Sequence, residues 1–179
     1  LLRTLVEPPS GSLGSQDFSI AGNSITAASF SPNGTEVVTA SDDTTARVWD
    51  VNSGKQLAVF HENNILNDAV FSPNGSEVLV ASDQGQADIW DIATRKIVKQ
   101  FTEPGNATVA TAVFSPDGAE VLTASYDGTA RVWDVATGAR ARALLEPYKA
   151  GVNNAAYSPD GSEIVTASQD GTARVWDAA

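Results

Sequence analysis

The chain has 179 residues and a mass of 18.6 kDa, enough for one domain or slightly more, and 42% of its residues are apolar, enough to fill a core. Eleven basic against 22 acidic residues give a net charge of −11 and a pI near 4.3, the wrong balance for gripping a phosphate backbone through clustered Lys and Arg. There is no Cys, which removes disulfides, thiolate metal centres and a cysteine nucleophile.

No apolar run reaches the length of a membrane helix and no segment has the build of a signal peptide, so the expectation is a cytoplasmic protein without membrane or nucleic-acid partners. With no Met anywhere, position 1 included, the chain reads as a processed, excised or designed segment. The first predicted element is a strand over residues 1–8. LLRTLVEP (Leu1–Pro8) lines up with RARALLEP (Arg140–Pro147), sharing Leu5/Leu144 and the Glu-Pro end. Residues 9–24 follow as an inserted loop. From Pro8 to Ser31 there are 23 positions, against 11 from Pro104 to Ser115 and 11 from Pro147 to Ser158. The insertion is rich in Ser and Gly, carries Phe18 and Ile20, and has the composition of a flexible connection.

From residue 25 the chain repeats itself. Ser-Pro-Asn/Asp-Gly begins at Ser31, Ser72, Ser115 and Ser158, and Trp-Asp recurs at Trp49, Trp90, Trp133 and Trp176, both at intervals of 41, 43 and 43. The units are 25–62, 63–103, 104–146 and 147–179. In the third, AVFS ends at Pro116-Asp117-Gly118, a turn in which Pro presets φ and Gly accepts a positive φ. EVLTAS (Glu120–Ser125) reads as a buried strand, Tyr126-Asp127-Gly128 as a turn, TARVWD (Thr129–Asp134) as a third strand and the segment around Arg142–Glu146 as a fourth. Four short antiparallel strands repeated at about forty residues form a propeller blade. The last unit stops at Ala179 after three strands. The expected fold is therefore all-β, a β-propeller with four blades per chain, in which the N-terminal strand completes the last blade and closes the ring through Leu1, Leu2, Leu5 and Val6. An unpaired edge would otherwise template aggregation.

These residues resemble the WD-repeat (WD40) β-propeller family over nearly the whole chain, and SPDGAEVLTASYDGTARVWDVATG is most similar to prokaryotic repeats. The resemblance implies a buried network in each blade linking Trp, Ser/Thr, a turn Asp and a His from a Gly-His pair. The matching positions are Trp49, Thr39 and Asp43; Trp133, Thr123 and Asp127; Trp176, Thr166 and Asp170. The chain departs from the pattern in having no Gly-His pair; its single histidine, His61, falls near the end of an outer strand. The second blade departs further: Val80 and Gln84 replace the Thr and Asp, and Asp88 stands where the others have Arg47, Arg131 and Arg174. That blade is expected to be the least regular, with Trp90 bonding Gln84 or water. Family members typically close with seven blades, so four leave two closures open, a four-bladed ring or an eight-bladed ring made by a homodimer. The count of half of eight favours the dimer.

The turn carboxylates Asp43, Asp127 and Asp170 read as structural. Their neighbours Asp42, Asp83, Tyr126 and Gln169, with Tyr148 and Phe18, are the candidate partner-binding residues, since loops on a rigid scaffold carry contacts and aromatics anchor them. No dense Asp/Asn loop suggests a cation, and no cofactor motif is present. His61 has no neighbouring nucleophile and every recurring Asp has a structural role, so the chain is read as a non-enzyme. Asn33, Asn74 and Asn106 head Asn-x-Ser/Thr triplets that read as turn chemistry. Three functions compete: a scaffold presenting loops of one face to a protein or peptide partner, a self-assembling half-propeller, and a small-ligand or sugar binder using a channel lined by Asn67, Asp68, Thr111, Asn153 and Asn154.

Overall fold

The computed structural model describes residues 24–178. The described strands are β1 (Ile25–Phe30), β2 (Glu36–Ser41), β3 (Thr45–Asp50), β4 (Gln56–His61), β5 (Leu66–Phe71), β6 (Glu77–Ser82), β7 (Gln86–Asp91), β8 (Lys96–Thr102), β9 (Val109–Phe114), β10 (Glu120–Ser125), β11 (Thr129–Asp134), β12 (Arg140–Leu145), β13 (Val152–Tyr157), β14 (Glu163–Ser168) and β15 (Ala173–Asp177). They make four antiparallel meanders in chain order, β1–β4, β5–β8, β9–β12 and the three-stranded β13–β15. Blade two keeps the same pairing as its neighbours, so its departures are confined to side chains. The N-terminal strand and its closing residues Leu1, Leu2, Leu5 and Val6, and Phe18 in the insertion, lie outside the described residues.

The first strands of successive blades contact one another, which places them along the axis of an arc. Each begins with a register shift, at Ile25/Ala27, Leu66/Asp68, Ala124/Ser125 (opposite β9) and Val152/Asn154. This bulge re-aims the first residue, so that Leu66 joins Ala69 and Phe71 on the face turned to the preceding blade.

Three apolar layers follow. Val38, Ala40, Ala46 and Val48 meet Leu66, Ala69 and Val78; Leu79, Ala81, Ala87 and Ile89 meet Val109, Ala112 and Val121; Leu122, Ala124, Ala130 and Val132 meet Val152, Ala155 and Ile164. A sheet covered on both faces buries consecutive residues. Accordingly β2, β6 and β10 are buried from their second residue to their last, whereas β14 alternates exposed and buried. Outer-strand rings tilt onto the next blade's indole, Phe60 on Trp90 at 5.4 Å and Phe101 on Trp133 at 5.6 Å.

The turns follow from local side chains. The Asp of the first three Trp-Asp pairs caps the turn after the third strand: Asp134 Oδ1 accepts Thr137 N–H at 2.7 Å and Thr137 Oγ–H at 2.6 Å, and Asp91 and Asp50 do the same for Thr94 and Ser53. In the Ser-Pro-Asn-Gly turns, Asn33 Oδ1 accepts Thr35 N–H at 2.9 Å and Asn74 Oδ1 accepts Ser76 N–H at 2.9 Å, which gives both asparagines a role as turn formers.

Gly128 lies at φ +89° with a would-be Cβ 2.6 Å from the Lys149 backbone, while Gly171, at φ +84°, has nothing within 4 Å. Alanine at Gly171 is expected to cost about 1–2 kcal/mol for left-handed backbone alone. Alanine at Gly128 costs clearly more, because Lys149 must also move; paired urea titrations check the difference.

Candidate functional site

The turns between second and third strands form one rim together with the loops that join blades. In blade three, Asp127 Oδ1 accepts Thr129 N–H at 3.0 Å and Thr129 Oγ–H at 2.5 Å, and Arg131 donates to its Oδ2 at 2.7 Å. Asp43 with Thr45 and Arg47, and Asp170 with Thr172 and Arg174, repeat the arrangement. Burial raises the Asp127 and Asp43 carboxyls, but the Arg and Thr bonds outweigh it and leave both below the ordinary value. Asp170 is held low chiefly by Arg174 and then by Thr172. These carboxylates are therefore engaged within the turn.

The network behind the rim has a member that residue spacing did not reveal. Trp49, Trp133 and Trp176 each donate Nε1–H to a hydroxyl on the neighbouring strand, Thr39, Thr123 and Thr166, at 2.9 Å. Thr123 in turn donates to Glu103 at 2.5 Å and Thr166 to Glu146 at 2.6 Å, while Arg131 and Arg174 pair with the other oxygen of the same glutamates. Glu103 and Glu146 are buried, and each closes the outer strand of the preceding blade. A carboxylate delivered from one blade thus fills the network of the next in a chain without Gly-His pairs. Its signal was the recurring Glu-Pro at the blade junctions, which served above only to align the N-terminus.

Blade two corrects the expectation for Trp90, whose indole donates to Glu62 at 2.6 Å and not to Gln84 or water. Glu62 is the Glu103 counterpart, but the Arg position holds Asp88, buried, bonded to Gln100 at 3.3 Å and with Oδ1 unpartnered. Burial lifts Glu62 to about 7 against the Trp90 bond, with Asp88 pushing the same way, and burial lifts Asp88 to about 6. His61 is exposed on the last residue of β4.

On the rim itself, the backbone N–H groups of Asp42, Asp83, Tyr126 and Gln169 are tied to carbonyls of the loops before the first strands, Ser24, Ile65, Thr108 and Gly151. Asp42, Tyr126 and Gln169 are exposed and Asp83 is half-buried. Tyr148 is 98% exposed with φ +60°, at the position where blade three carries Gly105 at φ +72°. A bulky residue in left-handed backbone is an outlier that costs about 1–2 kcal/mol, and nothing buries its ring in return. Beside it, Asp127, Thr129, Arg131, Leu145, Glu146 and Lys149 line a hollow of about 430 Å³.

The channel residues separate into different roles. Asn67 Nδ2 donates to Val109 O at 2.9 Å and Asp68 accepts Ala112 N–H at 3.2 Å, so both brace blade two against blade three. Burial raises Asp68 to about 6 despite its backbone N–H bonds. Thr111 Oγ has no partner, and Asn153 and Asn154 are exposed. The hollow at the other end of these strands, also about 430 Å³, is lined instead by Val70, Phe71, Val113, Phe114, Tyr157 and the neighbouring prolines.

Among the described residues there is no cluster of three or more metal-ligating side chains and no helix long and apolar enough to cross a membrane. The family model described as WD domain, G-beta repeat matches the chain four times, over residues 14–50, 54–91, 95–134 and 142–177. No curated protein matches the chain.

Proposed function

The chain belongs to the WD-repeat family, and from that premise we propose that it is a non-catalytic scaffold that binds a protein or peptide partner on the rim carrying Asp42, Tyr126, Tyr148 and Gln169. WD-repeat domains generally mediate protein interactions and are generally non-catalytic. The observation that carries the choice of rim is Tyr148: a fully presented aromatic in strained backbone, where a glycine serves the same turn one blade earlier. Strain that the fold does not use marks a functional position, and Tyr is among the residues that dominate binding energy. The net charge of −11 favours a basic partner through complementary fields.

The test is to select binders from a peptide library on the intact chain and then compare variants. Tyr148→Gly is expected to stabilise the fold by about 1 kcal/mol and to weaken binding at least tenfold, as is Tyr126→Ala, while Thr137→Ala on the opposite rim leaves affinity unchanged. Binders insensitive to both tyrosines would place the site elsewhere.

A further inference from the structure

The Ser-Pro-x-Gly turns differ in charge: x is Asn33 and Asn74 in blades one and two but Asp117 and Asp160 in blades three and four. All four residues make the same turn, each accepting through Oδ1 from the serine two residues before and from the backbone N–H two residues after. The turn therefore has no need of the charge, and Oδ2 of Asp117 and Asp160 takes no part in it. The Ser115 and Ser158 hydroxyls, followed by the turn N–H groups, hold both carboxyls below the ordinary value, so both are ionised at neutral pH. With Glu120 they line one hollow of about 160 Å³ between blades three and four. Glu120 accepts the Tyr157 hydroxyl at 2.9 Å and lies 3.8 Å from the Arg142 guanidinium, so three acids stand against one base. Through Ser115, Pro116 and Tyr157 this hollow is continuous with the apolar one of about 430 Å³. The apolar part crosses three blades at the ends of their first strands, over Val70 and Phe71, Val113 and Phe114, and Ala156 and Tyr157. Its border is the exposed Pro73, Pro116 and Pro159. Blades two, three and four are joined by two of the internal apolar layers, which fix these walls relative to one another.

We propose that this double hollow binds an extended segment of a partner protein that carries adjacent apolar side chains followed by Lys or Arg. The two halves of the hollow ask for the two halves of that segment. Aliphatic and aromatic walls remove apolar side chains from water, and a volume of about 430 Å³ falls in the range of about 300–1,000 Å³ usual for ligand sites. The acidic end supplies carboxylate oxygens to a cation, and a guanidinium can take two of them at once. The charge is placed for this role. Asp stands in the turn only in the two blades that form the acidic end, and it adds there to the field of a chain with net charge −11. The hollow also runs across three blades behind an exposed border, which suits a chain laid over it with its side chains inserted, the way grooves with aromatic walls take extended peptides.

This site lies on the rim opposite Tyr148, and either reading can fail alone. The probe is the peptide fluorescein-Leu-Leu-Arg-Arg-amide, titrated with the intact chain and read by fluorescence polarisation. It is expected to saturate below about 1 mM, and the Leu-Leu-Glu-Glu and Ser-Ser-Arg-Arg analogues are each expected to bind at least tenfold more weakly. Asp117→Asn combined with Asp160→Asn keeps the turn bonds that Asn33 and Asn74 already make. That variant is expected to keep the parent's circular dichroism, to lose about tenfold in affinity and to lose most of the salt dependence. Val113→Thr, which puts a hydroxyl in the apolar wall, is expected to weaken binding several-fold. No saturation below about 1 mM, equal binding of either analogue, or unchanged affinity in the double Asn variant overturns the proposal. Hexylammonium that displaces the peptide at equal concentration overturns the choice of a protein segment and assigns the hollow to a small amphiphilic cation.

Discussion

Replacing Glu103 by alanine is expected to cost about 3–5 kcal/mol of folding free energy, the range for breaking a buried ion pair from one side. Glu103 is 2% exposed and serves three groups at once: it accepts from Thr123, pairs with Arg131 and, through Thr123, fixes the Trp133 indole. Removing it leaves the Arg131 guanidinium buried with Asp127 alone and leaves the Thr123 hydroxyl only the long contact to the Arg131 carbonyl at 3.5 Å. Against a typical total stability of about 5–15 kcal/mol, that loss brings the junction of blades two and three near its limit. Glu103→Gln keeps the shape and one acceptor and is expected to cost less, by about 1–2 kcal/mol. Urea unfolding at pH 7 followed by tryptophan fluorescence reads both. A Glu103→Ala protein as stable as the parent would mean that the carboxylate does not tie the blades together.

Stability is expected to fall as pH rises from about 5 to 8, the reverse of the usual acid unfolding. Glu62, Asp68 and Asp88 are raised by burial to about 7, 6 and 6. A carboxyl whose folded pKa lies above its unfolded value binds its proton more tightly when folded, so its contribution is full below the unfolded pKa and is lost through the folded one. At about 1.4 kcal/mol per unit, reduced for solvent screening and for the coupling of Glu62 to Asp88, the loss is on the order of 3 kcal/mol. Asp43 and Asp127, held low mainly by their Arg and Thr partners against burial, work in the other direction only at more acidic pH, which puts the maximum near pH 5. Asp88→Asn removes one of the raised acids and is expected to flatten the slope and to gain about 1–2 kcal/mol at pH 8. Denaturant midpoints across pH 4–9 check both, and a midpoint that climbs from pH 5 to 8 would refute the assignment.

Blade two shows where residue-by-residue reading stops. That Val80, Gln84 and Asp88 break the pattern is visible in the string of letters, because the other units provide the comparison. That Glu62 takes Trp90 is not, because Glu62 belongs to the preceding unit and reaches the indole across an interface 28 residues on. Glu103 and Glu146 were missed for the same reason, each bonding a threonine 20 residues ahead in the next sheet. Asn67 and Asp68 read as polar lining because their place on a first strand points to the axis, whereas their partners are backbone groups of the next blade. Tyr148 was legible as an aromatic in a loop, but its positive φ was not, since the left-handed backbone is imposed by a turn shared with Pro-Gly-Asn at the start of blade three.

What the sequence determined by itself is the blade: strand lengths, turn positions and the all-β repeat follow from Ser-Pro-x-Gly, Asp-x-Thr and Trp-Asp acting over two to five residues, where a side chain and the backbone it caps are neighbours in the chain. What only the tertiary structure decided is how blades meet. Which carboxylate enters which network, which axial side chains brace the next sheet, and which side chains share a hollow depend on the stacking of separate sheets. Those contacts join residues 20 to 44 positions apart, and the spacing of letters carries no record of the angle between the sheets that hold them.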